Sequence, residues 1–335
     1  MKVKKPNIVV IGGGTGTFVT LLGLKKYPVD ITAIITMMDS GGSNRIIRDE
    51  FGLLPTSDIR QCQVALVDVT TENQKILRKL FEYRYDKGVG IAGMTFGNLF
   101  MAALTDIMGS QIKAIKKTNE ILNVKGEILP ISLNNTHLLA TYKDGSKILG
   151  EHWIDEAGSH KHNGKLRITK LESIPPSEIS PQAEKAILNA DCIVFTAGDL
   201  YTNTIANLIV KGVPQAIRKS KAKKIFIINL MTKYGETYGY KATDFLKDVE
   251  KYLGENYIDK VLINKTPIPQ NILKLYKKEN AVPVENDFPK NDPRVKEINM
   301  LSSHITSHHK ADVLKRSLIR HDSEKLAKAI MMELE

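Results

Sequence analysis

A run of glycines directly after a short apolar segment is the feature that most constrains the fold. Residues 7–11 are apolar and β-branched, which predicts a buried strand, and glycines fill four of the five positions 12–16. Helical periodicity follows over residues 18–26, and a second apolar strand is predicted over 31–37. Strand, glycine loop, helix and strand together form a βαβ unit. The start of the chain therefore predicts a parallel sheet with a right-handed crossover.

The rest of the chain alternates helix and strand, with one interruption over about residues 124–172. Three short strands are predicted in that stretch, at 127–132, 137–142 and 146–153, and we interpret the stretch as a β-rich insertion. We expect an α/β fold: one Rossmann-like, doubly wound, mostly parallel sheet in a single nucleotide-binding domain spanning 1–335.

The remaining predicted elements follow the usual signals of period, cap and turn. The expected helices are 57–69, 74–85, 97–108, 110–122, 180–189, 202–219, 243–253, 270–278 and 322–333. The expected further strands are 192–196, 224–229, 259–263 and 281–285. Residues 287–312 are expected to be irregular and to precede the last helix.

Charge and composition exclude several classes of protein. The net charge is +11, but lysines (38) far outnumber arginines (10), and arginine is the better reader of phosphates and bases. We therefore expect no nucleic-acid partner. No apolar run reaches the roughly 20 residues of a membrane-spanning helix, so no membrane span is expected. Two cysteines exclude a disulfide framework and fit a reducing cytoplasm, which is the predicted location.

The glycine loop is the first candidate site. Its members are Gly12, Gly13, Gly14, Thr15 and Gly16. Glycines let the backbone approach a phosphate, and the start of the following helix offers free N–H groups and the positive end of its dipole. The alternative is a tight strand-to-helix turn that needs glycines for geometry alone. We favour nucleotide binding.

Polar residues also follow the other predicted strands. The second strand leads to Asp39, Gly41, Gly42 and Ser43, with Arg60 further along. An acid here suits ribose hydroxyls or a divalent cation bridging phosphates, and an Asx turn is the alternative. Arg60 is either an anion clamp or part of a surface ion pair. The residues that follow the later strands are Gly198, Asp199, Tyr201, Asn229, Met231 and Thr232. Hydroxyl and amide groups at one sheet edge suit a sugar-like or nucleotide ligand.

Taken together, the motifs resemble the gluconeogenesis-factor family, also called YvcK-like or CofD-like proteins, which is related to the 2-phospho-L-lactate transferases. The similarity extends from residue 7 to the end of the chain. The matching stretches are Gly12–Gly16, Asp39–Ser43, Leu54–Gln61, Phe96–Phe100, Gly198–Thr202, Asn229–Thr232 and Arg320–Asp322.

The resemblance implies a cytoplasmic regulatory protein that binds a UDP-sugar such as UDP-N-acetylglucosamine without turnover and supports cell shape and wall synthesis during gluconeogenic growth. It implies nucleotide contacts at Thr15, Asn98, Tyr276 and Arg320, with the tyrosine ring stacked on uracil and the arginine on the diphosphate. Binding is expected to need no cofactor. A homodimer and a protein partner in wall synthesis are compatible with this interpretation.

Three departures from the family pattern bear on catalysis. Ser40 stands where a second acid is usual, Ile46 where an arginine is usual, and Met94 falls where a histidine is common. The alternative function is a transferase-like enzyme that moves a phospho-acid from a nucleotide-diphosphate donor onto an alcohol, with Mg²⁺ at Asp39. A third is an NAD-dependent oxidoreductase, for which the glycine fingerprint is imperfect and no acid–base pair is evident.

Overall fold

The computed structural model describes residues 4–156, 163–304 and 317–334. The strands are β1 Asn7–Gly12, β2 Asp30–Ile35, β3 Glu127–Pro130, β4 His137–Tyr142, β5 Lys147–Leu149, β6 Ile168–Ile174, β7 Cys192–Phe195, β8 Lys223–Ile227, β9 Lys260–Asn264 and β10 Val295–Ile298. The helices are α1 Gly14–Leu24, α2 Gly42–Phe51, α3 Ser57–Leu66, α4 Glu72–Glu82, α5 Phe96–Met108, α6 Gln111–Leu122, α7 Glu151–Asp155, α8 Pro181–Leu188, α9 Ala206–Leu208, α10 Val213–Lys219, α11 Ala242–Leu253, α12 Gln270–Lys277 and α13 Ser323–Met331. A π-helix, Leu200–Ile205, precedes α9.

Seven parallel strands form the central sheet in the order β10-β9-β8-β7-β1-β2-β3. The chain runs outward from β1 to β3 and then returns to place β7 on the other side of β1. The topological switch point, where open α/β sheets bind ligands, therefore lies between β1 and β7. This confirms the predicted Rossmann-like, doubly wound fold.

Both faces of the sheet are covered, because successive side chains of β1 point to opposite faces. Val9 and Ile11 pack into one hydrophobic core, and Ile8 and Val10 pack into the other. The first core also contains residues of α8, α10 and α11, and the second contains residues of α1, α3 and α13. A strand buried on both faces explains the continuous apolar run.

The predicted insertion is present as a small antiparallel sheet, in the order β5-β4-β6. Two of the strand predictions need correction. The strand at 127–132 corresponds to β3, which pairs in parallel with β2 and so belongs to the large sheet. The strand at 146–153 ends at Leu149, because Gly150 adopts φ +101° and the chain then enters helix α7.

Three further differences concern segments with weak sequence signals. The strand predicted at 281–285 is wrong: Pro283 makes only an isolated bridge, since proline has no N–H for a ladder. The last strand is instead β10, which lies inside the segment 287–312 that was expected to be irregular. Residues 305–312 of that segment lie outside the described residues. Helix α2 was not predicted, because its glycine-rich start resembles a loop.

Candidate functional site

The carboxyl ends of β7, β1 and β2 lie side by side, so the loops that follow them are neighbours. The glycine loop packs tightly against the residues that follow β7. A Cβ built on Gly16 would lie 1.8 Å from the carbonyl oxygen of Ala197, and one built on Gly13 would lie 2.1 Å from Oδ1 of Asn203. Gly14 has φ +59°, a backbone conformation that favours glycine. Gly13 and Gly16 are therefore required by the close approach of two loops, and Gly14 is favoured by its backbone conformation, whatever the loop binds.

One amide of the glycine loop already has an anionic partner within the protein. The Gly14 N–H donates to Oδ2 of Asp58, in the first turn of α3, over 3.0 Å. The carboxylate suits the positive end of α1 for the same reason that a phosphate would. The neighbouring Thr15 is half-buried. An anionic ligand at this loop would lie beside Asp58.

A cavity of about 310 Å³ opens next to this loop, on the β2 side. The starts of α2 and α3 form its walls, together with part of the segment between α4 and α5. Three arginines and two aspartates are among its lining residues. The lining residues are Asp39, Ser40, Gly41, Gly42, Ser43, Asn44, Arg45, Ile46, Ser57, Asp58, Arg60, Gln61, Arg84, Ala92, Gly93 and His152. The structure thus brings together the predicted residues of the second loop and Arg60.

Buried amides hold the cavity wall in shape. Nδ2 of Asn44 donates to Oδ2 of Asp39 over 2.5 Å, and its Oδ1 accepts from the Ser57 hydroxyl over 2.8 Å. Asn98 is fully buried and donates to the hydroxyls of Ser43 and Ser57 over 3.0 and 2.9 Å. Asn98 therefore supports the serines from behind and is not itself among the lining residues.

The arginines differ in their surroundings. Arg60 is 7% exposed, and its Nη1 donates to the Phe81 carbonyl oxygen over 3.2 Å. Arg84 donates from Nη1 to the Gly93 carbonyl oxygen over 2.6 Å. Arg84 was not predicted as a site residue, because it follows α4 rather than a strand and belongs to none of the matching motifs. Arg48 instead contacts the segment before β4, with Nη2 2.9 Å from Oδ1 of Asn135.

Helix α7 of the insertion brings a second carboxyl group to Asp39. The Ser40 N–H donates to Oε2 of Glu151 over 3.1 Å, and the Ser40 hydroxyl accepts from the His152 N–H over 3.1 Å. Burial raises the pKa of Glu151 well above its usual range, and the charges of Asp39 and Asp155 act in the same direction. The carboxyl group of Glu151, from a distant part of the chain, thus lies next to Ser40, the position at which the family usually has a second acid.

A second acidic group lies between the β7 and β8 loops. Carboxylate oxygens of Asp155, Asp199 and Glu236 lie within 4.8 Å of one another. The Lys233 ammonium contacts Asp155 and lies 3.0 Å from Oδ2 of Asp199 and 4.0 Å from Oε1 of Glu236. Burial raises the pKa of Glu236 to about 8, while the Tyr201 N–H donates to its Oε2 over 2.7 Å. A lysine therefore already supplies a cation to these acids.

The predicted residues after β8 lie further along the same edge. Nδ2 of Asn229 donates to the Gly198 carbonyl oxygen over 2.7 Å and so ties the two loops together. The Thr232 hydroxyl accepts from the Val282 N–H over 3.0 Å. Met231 packs with Tyr276 in a small hydrophobic cluster. None of these residues is among those lining the cavity.

Tyr276 was expected to stack on a base, but its side chain is packed inside the protein. It is 6% exposed, and its hydroxyl accepts from the backbone N–H groups of Leu318 and Ile319 over 2.9 and 3.3 Å. Arg320 follows directly and is half-buried. Tyr276 thus holds the segment that carries Arg320.

Comparison of the chain with known proteins assigns it to a family. The family model described as 2-phospho-L-lactate transferase CofD matches residues 8–306. The chain belongs to the CofD family. Among curated relatives, the gluconeogenesis factor of Bacillus subtilis is 36% identical over 330 residues, covering 98% of each chain. That of Halalkalibacterium halodurans is 37% identical over 332 residues, covering 98% of this chain and 97% of its own.

The fold of this CofD-family chain is also known from crystal structures. A member of the UPF0052 family from Bacillus halodurans superposes with a TM-score of 0.87 at 34% identity, covering 98% of this chain and 99% of its own. The resemblance to gluconeogenesis factors inferred from the motifs is confirmed. Across the described ranges, we find no helix with the length and hydrophobicity needed to cross a membrane.

Proposed function

We propose that this protein binds a nucleotide sugar of the UDP-N-acetylglucosamine type and acts as a regulatory protein in cell shape and wall synthesis during gluconeogenic growth. The observation that carries the proposal is the cavity at the carboxyl end of β2, whose lining includes Arg45, Arg60 and Arg84. Arginine forks match the geometry of phosphate oxygens, so a diphosphate is the chemistry that best suits this lining.

The start of α2 adds to the preference for an anion. The helix begins at Gly42, and no side chain caps its first turn. Helix N-termini of this kind carry free N–H groups and the positive end of the dipole. Gly42 and Ser43 line the cavity, which puts this helix end beside the arginines.

Tyr276 and Arg320 enter the proposal in a modified form. Because the Tyr276 ring is packed and its hydroxyl holds the backbone at 318 and 319, we assign it a positioning role. Arg320, at the end of that segment, is assigned to the nucleotide. A positioning role predicts that loss of the Tyr276 hydroxyl alone weakens binding, whereas base stacking would need only the ring.

The alternative is a transferase that uses Mg²⁺. The donor set fits that ion, since Mg²⁺ is usually bound by one or two carboxylates, waters and phosphate oxygens, and both Asp39 and Asp58 line the cavity. These residues would hold the ion, which would neutralise the phosphates of the donor. Binding without turnover is favoured because Asp39 already accepts from the Gly41 N–H over 2.8 Å and from Asn44 over 2.5 Å.

Isothermal titration with UDP-N-acetylglucosamine, NAD and GDP, each with and without Mg²⁺, tests the proposal. We expect UDP-sugar binding without Mg²⁺, weakened about tenfold in Arg45→Gln by loss of a charged hydrogen bond. Lys87→Gln is the matched control, since Lys87 is exposed and does not line the cavity. Tight NAD binding with no response to UDP-sugars would overturn the proposal. Mg²⁺-dependent transfer of a phospho-acid to an alcohol would establish the alternative.

A further inference from the structure

A second cavity, of about 380 Å³, lies near the amino ends of β2 and β3, whereas the first cavity lies beyond the carboxyl ends of the strands. It is lined by residues just after α1 and α3, by α4, and by the residue two before β3. Helix α1 connects the two cavities, and its 11 residues span about 16 Å at the usual rise per residue. The lining residues are Lys25, Lys26, Val67, Asp68, Val69, Arg78 and Lys125. Four cations thus share this cavity with one carboxylate.

Two of the four cations have acidic partners at the surface. Lys26 pairs with Glu324 at 2.5 Å, and Lys125 pairs with Asp68 at 3.1 Å. In the described part of the chain, no carboxylate lies within ion-pair distance of Lys25, which is half-buried. The Lys25 ammonium donates instead to the carbonyl oxygens of Ala65 and Val67, over 2.7 and 3.1 Å.

Arg78 is the other cation without an acidic partner among the described residues. It projects from α4, and its Nε is buried with no hydrogen-bond partner. A buried guanidinium N–H left without an acceptor costs free energy that a bound acceptor would recover. Among the described residues, no carboxylate therefore neutralises Lys25 or Arg78, and the Nε–H of Arg78 has no hydrogen-bond acceptor.

The electrostatics of Lys25 show that these charges act on one another. Burial lowers the pKa of Lys25 to about 8. The charges of Arg78, Lys125 and Lys26 lower it further, whereas the charge of Asp68 raises it. Like charges held together in a partly desolvated cavity repel, and an anion placed among them relieves that repulsion.

We propose that this cavity is a second ligand site that binds a small phosphate-bearing anion between Lys25 and Arg78. A lysine offers a point charge and an arginine offers a planar fork, and both are common phosphate ligands. The site shares no lining residue with the first cavity. Its test therefore does not depend on whether the proposed function is correct.

Isothermal titration of the full chain with pyrophosphate and with inorganic phosphate, at matched ionic strength, tests the second site. We expect pyrophosphate binding that weakens about tenfold in Arg78→Gln and in Lys25→Gln. The matched control is Lys79→Gln, because Lys79 is exposed on the same helix and does not line the cavity. The titration is repeated in Arg45→Gln, which removes a charge from the first cavity, so that pyrophosphate bound there can be told apart from pyrophosphate bound between Lys25 and Arg78.

Acetylation of Lys25, followed by mass spectrometry, gives a second measurement. Bound pyrophosphate should shield the Lys25 amine and slow its modification without slowing that of Lys79, which does not line the cavity. Absence of pyrophosphate binding, or equal weakening by Lys79→Gln, would overturn the proposal. So would loss of binding in Arg45→Gln alone, which would place the anion in the first cavity.

Discussion

Replacing Gly16 by alanine tests whether the glycine loop is needed for packing. The added Cβ would lie 1.8 Å from the carbonyl oxygen and 2.5 Å from the carbonyl carbon of Ala197. Both neighbours are backbone atoms, so α1 and the loop after β7 would have to separate by more than about 1 Å. Overpacking of this kind typically costs 1–3 kcal/mol and sometimes more, and we expect about 3 kcal/mol for a clash with backbone on both sides.

The loss is measurable by thermal unfolding. At about 2.1 cal/mol/K per residue, the unfolding entropy of a 335-residue chain is about 0.7 kcal/mol/K, so 3 kcal/mol lowers Tm by about 4 °C. Gly41→Ala is the matched control, because the nearest atom to its Cβ is 3.5 Å away and its φ is −89°. A Gly16→Ala protein with the wild-type Tm but no ligand binding would refute the reasoning and assign the glycine to the ligand.

Three other predictions follow from buried polar groups. Tyr276→Phe keeps a ring but loses the hydroxyl that holds residues 318 and 319, so we expect weaker UDP-sugar binding by titration; unchanged affinity would contradict the positioning role. Because the pKa of Glu151 is raised in the folded protein, the unfolded state loses this proton first and the folded state is destabilised as the pH rises above about 4.5. Glu151→Gln should therefore unfold at a higher urea concentration than wild type at pH 8 and at a similar one near pH 4. A difference that does not change with pH would count against this role of Glu151. Burial lowers the pKa of His321 from 6.5 to about 4, so the unfolded state takes up a proton before the folded state does. As the pH falls from 6.5 to 4, the free energy of unfolding should therefore fall by up to about 3 kcal/mol. His321→Gln should flatten that part of the stability curve, and an unchanged slope would exclude His321 as its source.

The parts of the fold that were predicted correctly depend on local patterns. The apolar run of β1 and the glycines after it define a βαβ unit without reference to the rest of the chain. The errors occur where neighbours decide the structure. β3 has the same local pattern as an insertion strand, and only its pairing with β2 places it in the large sheet. β10 has four residues and is a strand because β9 offers it an edge.

The same distinction applies to the candidate site. Asp39, Ser43 and Arg60 follow strand ends or quoted motifs, and the structure brings them to one cavity. Glu151 and Arg84 carry no such local signal: Glu151 is 111 residues from Ser40 in sequence, and Arg84 follows a helix. Such partners become visible only when the chain is folded.

Helix α7 links two loops that are far apart in the sequence. Through Glu151 it is hydrogen-bonded to the loop after β2, and through Asp155 it is ion-paired with Lys233 after β8. Those two loops belong to opposite halves of the sheet, on either side of the switch point. The insertion therefore bridges the two halves of the sheet across the switch point, because the five residues of α7 contact both the loop after β2 and the loop after β8.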